Sequence, residues 1–115
     1  MSKKDGGAHD GYVAVFDANI VPIWATRWPE TPYGDCHNDW GSEAMDVEFD
    51  TSNNIIAVGW KGCGRSNGAL KTKGTLAKMA GSNGAIMWEK IFTDAEHLER
   101  VLISKDGSGD FFVKG

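Results

Sequence analysis

Apolar and polar positions alternate with a period of two along much of this chain. The cleanest case is 44–49, where Met45, Val47 and Phe49 fall on one side of an extended backbone and Asp46 and Glu48 on the other. A similar segment follows at 55–60, after the turn-forming string Asp50-Thr51-Ser52-Asn53-Asn54. Earlier, Tyr12, Ala14 and Phe16 alternate with Val13 and Val15; all are apolar, so both faces of this strand are candidates for burial. A further strand is expected from Ile20 to about Trp28, with Pro22 marking an edge or irregular position at its start. Beyond residue 67 the pattern predicts strands at 74–79 and 85–92, separated by Gly81-Ser82-Asn83-Gly84, and a last strand before Gly115.

These segments match one another in order. Gly11-Tyr12-Val13-Ala14-Val15-Phe16 lies over Gly74-Thr75-Leu76-Ala77-Lys78-Met79, and Trp24 lies over Trp88. Asp46 to Asp50 lies over Leu102 to Asp106, and Asn54 to Gly59 over Asp110 to Gly115. Identities are sparse, but their order holds across the chain, which reads as two repeats of four strands at 10–60 and 67–115 after a flexible tail at 1–9. One segment conflicts: Thr93-Asp94-Ala95-Glu96 has the form of a helix-capping box, with Leu98, Val101 and Leu102 at helical spacing behind it. The repeat places a strand at about 98–105 instead, and Asp106-Gly107 closes it as Asp50 closes its counterpart.

Composition supports a turn-rich β chain. Fifteen of the 115 residues are glycine, roughly twice ordinary usage. The loops expected at 29–43 and 61–73 are rich in Gly, Pro and polar residues. A net charge of −4 argues against a nucleic-acid backbone as partner. No apolar run behind Lys3-Lys4 has the form of a signal peptide, and no window has the length of a membrane-spanning helix, so no direct membrane insertion is expected. Localisation stays open on these residues alone.

The strings His9-Asp10-Gly11-Tyr12-Val13-Ala14-Val15-Phe16-Asp17, Trp24-Ala25-Thr26-Arg27-Trp28, Ala44-Met45-Asp46-Val47-Glu48-Phe49-Asp50 and Asn54-Ile55-Ile56-Ala57-Val58-Gly59 resemble SBBP-type β-propeller repeats. The second copy is similar but degenerate; it keeps the lysine common in the family's first strand as Lys78, where the first copy has Val15. The resemblance implies an all-β fold of four-stranded antiparallel blades, a scaffold rather than any one enzyme, and a secreted or cell-surface setting for a parent protein. In that phase the one complete blade lies at about 44–92, with 12–28 the outer half of a preceding blade and 98–115 the inner half of a following one. Two blades cannot close a ring. The ring is then completed either by the rest of a longer chain or by further copies joined head to tail, three or four of which supply roughly six or eight blades.

Candidate chemistry is thin. Tyr33, His37 and Trp40 make an aromatic and polar cluster suited to a sugar or peptide ligand, set against a plain solvated loop. Cys36 and Cys63 stand alone without zinc-type spacing; they form either a disulfide or two exposed thiols. Asp106 and Asp110 offer carboxylates for calcium, but the string between them reads first as a hairpin turn. Trp24, Trp88, Phe16, Val47 and Ile56 are the expected structural core. No catalytic residues, resident metal or cofactor are assigned. The leading function is a structural or protein-interaction scaffold that binds through its long loops. The alternative is part of a propeller enzyme, such as a quinoprotein or a polysaccharide-active protein.

Overall fold

The alternating segments become strands because one row of side chains on each is apolar and must be covered. The computed structural model describes residues 11–28 and 40–115. Its strands are β1 (Tyr12–Phe16), β2 (Pro22–Arg27), β3 (Trp40–Phe49), β4 (Ile55–Ser66), β5 (Ala69–Met79), β6 (Ile86–Phe92), β7 (Arg100–Ile103) and β8 (Phe111–Lys114). All described pairing is antiparallel, in a two-stranded sheet β1-β2, a four-stranded sheet β3-β4-β5-β6 and a two-stranded sheet β7-β8. The protein is all-β, with no helix among the described residues.

The four-stranded sheet lies between the other two. Ile55 and Ala57 of β4 and Ala77 and Met79 of β5 pack with Val13 and Trp28, and Val15, Trp24 and Ala44 close around them. On the opposite face, Ile56, Val58 and Leu76 pack with Leu98 and Val101, bordered by Phe92, Ile103, Phe111 and Val113. Successive residues of β4 therefore serve opposite faces, and both are buried because a sheet covers each.

The region expected as a loop at 61–73 is a hairpin instead. β4 runs on to Ser66 and β5 begins at Ala69, leaving Asn67-Gly68, both at positive φ, as the tip. Two glycines read as loop residues lie in paired strand: Gly62 sits opposite Thr72 and Gly41, and β3 starts early enough, at Trp40, to pair with this extension. Glycine also meets a positive need at Gly59, where a Cβ would collide with the carbonyl oxygen of Glu43.

The capping box at 93–96 forms no helix. Its main chain is bonded to its neighbours instead: the Gly74 N–H donates to the Ala95 carbonyl at 2.7 Å, and the Leu98 N–H donates to Gly59 at 3.0 Å. Leu98 is buried between them. β7 is a strand that stops at Ile103, so the following turn begins at Ser104 rather than Asp106.

Candidate interaction surfaces

Polar clamps hold the sheets to one another at fixed points. The Trp24 indole N–H donates to the Gly81 carbonyl at 2.8 Å, and the Thr26 hydroxyl donates to the Gly84 carbonyl at 2.7 Å. Both tie β2 to the turn between β5 and β6. The Gly11 N–H donates to the Ser42 hydroxyl at 3.1 Å. Across the other interface, the Val101 N–H donates to an Asp46 carboxylate oxygen at 2.9 Å. On the four-stranded sheet itself, the buried Lys61 ammonium is ion-paired with Glu89 of β6.

Outside these contacts, large apolar side chains face solvent, and they are grouped. Val47 pairs with Ala57 and Phe49 with Ile55, so both share the face that β1-β2 covers. That two-stranded sheet does not cover them: Val47 is 43% exposed and Phe49 is exposed as well. Tyr12 and Phe16, alternating with the inward Val13 and Val15, extend the apolar surface at this end, together with Ile23 of β2. At the other end, Leu102 pairs with Phe112, and these two alternate with the inward Val101, Ile103, Phe111 and Val113. Phe112 is 64% exposed and Leu102 is also open. Trp88 pairs with Lys78, which pairs with Ile56, so it lies on the face that β7-β8 covers, yet it remains 40% exposed. Large exposed apolar patches are a general mark of protein, membrane or ligand contact.

The expected core is therefore divided. Ile56 is buried and Trp24 packs half-buried against the core, whereas Trp88, Phe16 and Val47 are exposed. Their apolar character is the same; what differs is cover, since the two-stranded sheets do not reach Val47 and Trp88, and Phe16 alternates with the inward Val13 and Val15 of its own sheet.

The remaining candidates are dispersed. Tyr33, His37 and Cys36 lie outside the described residues. Trp40 opens β3 opposite Cys63, which is disulfide-bonded; Cys36 is the only other cysteine in the chain. Asp106 and Asp110 sit in a hydrogen-bonded turn: the Ser108 N–H donates to Asp106 at 2.9 Å, and the Asp110 N–H donates to the Ser108 hydroxyl at 3.1 Å. Hydrogen bonds from the Ser108 side chain and main chain, with help from Ser104, lower the Asp106 pKa to about 2. Among the described residues no group of His, Cys, Asp and Glu side chains converges as a metal site. A recess of about 180 Å³ beside Met45, Trp60, Thr72 and His97 is smaller than ordinary ligand pockets. A larger cleft of about 490 Å³ lies between the turns at 50–54 and 80–85, lined by Phe49, Ser52, Asn53, Asn54, Gly81 and Ser82. Its walls are already joined by the Gly81 N–H, which donates to the Asn54 side-chain oxygen at 3.2 Å.

The exposure of Phe16, Val47 and Trp88 was missed in the sequence, where these three read as core. Their signal was present in the phase of the strands: two strands before the four-stranded sheet and two after it cannot cover all of it. No family model, no curated protein and no solved structure matches the chain.

Proposed function

We propose that this chain is a protein-interaction scaffold of β-propeller type, without catalysis of its own, whose three sheets are one blade and two half-blades. The observation that carries the reading is the stack itself: a four-stranded antiparallel sheet with a two-stranded sheet on each face, and apolar surface left open at both ends.

Paired details support two four-strand repeats, β1 to β4 and β5 to β8. Trp24 pairs with Val15 and Trp88 with Lys78, and each of these hairpins has a bulge at the next position, between Val15 and Phe16 or between Lys78 and Met79. A Cβ on Gly11 would meet Glu43 and Ala44, and one on Gly74 would meet His97 and Leu98. Gly59 backs onto the Glu43 carbonyl and Gly115 onto the His97 carbonyl. Glycine thus recurs wherever strand four, or the start of strand one, passes close behind the start of strand three. These matches also support the likeness to SBBP-type repeats. Partner binding through the segment carrying Tyr33, His37 and Trp40 belongs to the same reading.

A head-to-tail tandem of two copies tests it. If the sheets are blades, β1-β2 of the second copy completes β7-β8 of the first. The tandem then melts higher than the single chain diluted until it is monomeric, and binds less of a hydrophobic dye per copy. Equal melting temperature and equal dye binding per copy would reject the blade reading.

A further inference from the structure

We propose that separate copies of this chain join head to tail into a closed ring, β8 of one copy pairing with β1 of the next. The inference rests on the blade reading and adds the occupant of the two open ends: a second copy of the same chain.

The contacts inside the chain specify those expected between chains. Phe49–Ile55 and Ile103–Phe111 are the cross-strand pairs that close the turns from β3 to β4 and from β7 to β8. By that register Val101 is the counterpart of Val47, and Phe112 the counterpart of Ile56. The two members of each pair differ sharply in exposure: Val101 is 0% and Val47 43%, while Ile56 is 1% and Phe112 64%. Each buried member is covered by a sheet of its own chain, and each exposed member faces a side where no sheet among the described residues covers it. The tail exposes Phe112 and Leu102, which need a β3-like face; the head exposes Val47 and Phe49 on such a face. Among the described residues the tail sheet has no outer pair of strands, and β1-β2 is an outer pair; the head sheet has no inner pair, and β7-β8 is an inner pair. One chain carries both complements, which singles out a second copy over an unrelated partner.

The register follows from the pairing of β4 with β5, in which Ile55, Ile56, Ala57, Val58 and Gly59 meet Met79, Lys78, Ala77, Leu76 and Thr75. Transferred to the free edges, Phe111, Phe112, Val113, Lys114 and Gly115 of one copy meet Phe16, Val15, Ala14, Val13 and Tyr12 of the next. The ladder is largely apolar. The Trp24 clamp transfers too: Trp88, left 40% exposed, comes to face the 17–21 turn of the next copy as Trp24 faces the turn holding Gly81. This contact is heterologous, and it ends in a ring only where the rotation closes. Two to four copies supply about four to eight blades, the usual range.

Phe112→Asp damages the tail and Val47→Asp the head, and both residues are exposed in the single chain, so each variant is expected to keep its sheet structure by circular dichroism. Light scattering is expected to give the unaltered chain one mass, two to four times 12.5 kDa, that does not grow with concentration. Each variant alone is expected to be monomeric. Mixed in equal amounts they are expected to form a one-to-one dimer, because the intact tail of Val47→Asp still fits the intact head of Phe112→Asp. Should either variant lose its sheet signal, Leu102→Ser and Phe49→Ser repeat the pair. A monomeric unaltered chain, association without limit, a variant that pairs with itself, or a mixture that stays monomeric overturns the proposal. If the tandem of two copies still gains stability, the blade reading survives that failure; if it does not, both fall.

Discussion

The indole N–H of Trp24 donates to the main-chain carbonyl of Gly81, a residue 57 positions away, at 2.8 Å. The ring lies against Gly84, where φ is +76° and an added Cβ would strike both Trp24 and the Thr26 hydroxyl. One side chain thus supplies packing and a directed bond between two sheets. Trp24→Ala is expected to cost about 3 kcal/mol of stability, read by urea unfolding of the single chain. Trp88→Ala, made like Trp24→Ala in the monomeric Phe112→Asp chain where its face stays open, is expected to cost about 1 kcal/mol or less. Equal losses at the two tryptophans would refute the difference in their surroundings.

Gly59 offers a second, sharper contrast. A methyl group there would collide with the Glu43 carbonyl in the neighbouring strand, and main chain cannot move aside without breaking the β3-β4 ladder. Gly59→Ala should destabilise by about 3 kcal/mol or more. Gly68→Ala has open space around the Cβ and pays only for its positive φ, a cost of about 1 kcal/mol. Thermal melts of the two variants give the ranking, and a milder Gly59 variant would disprove the close approach.

Asp50 makes stability depend on pH. Burial pushes its pKa up, but the Asn54 and Ser52 N–H groups and the Lys78 ammonium outweigh burial and hold it below the ordinary 3.8. The folded state therefore favours the carboxylate. That contribution is present above the unfolded pKa and is lost as pH falls through the lower, folded value. The melting temperature should fall as pH drops below about 4, and Asp50→Asn should start lower and show a shallower fall. An unchanged acid profile in Asp50→Asn would show that Asp50 is not a source of the effect.

The bond at Cys63 has Cys36 as its partner if it closes within one chain, since no other cysteine exists. Cys36→Ser and Cys63→Ser should then cost the same, about 3–4 kcal/mol for a loop of this size, and a reductant should bring the unaltered chain to the same melting temperature. Two unequal losses, or a dimer held by disulfide on a non-reducing gel, would contradict an intrachain link.

Strand periodicity was readable wherever one face is apolar and the other polar, as in Met45, Val47 and Phe49 against Asp46 and Glu48. The turn at 50–54 was readable because Asp50 can accept from two main-chain N–H groups beyond it, and it does so at 2.8 and 2.9 Å. The hairpin around Gly62 was not, because glycine content signals a turn in isolation and gives no sign that paired strands lie on both sides. The capping-box string at 93–96 misled for a related reason: its main-chain groups are bonded by Gly74 and its neighbours, a demand set by tertiary contact. Exposure at Val47, Phe16 and Trp88 is also beyond local pattern, since an apolar residue carries no record of whether a neighbouring sheet arrives to cover it.

Every hydrogen-bonded strand neighbour among the described residues is also a neighbour along the chain, from β1-β2 through β7-β8. Such a meander closes short loops, and short loops lower the entropic barrier that slows β proteins. Assembly can therefore follow the direction of synthesis. The first hairpin waits for one sheet only, that sheet is complete once Phe92 has emerged, and β7-β8 then meets a finished surface.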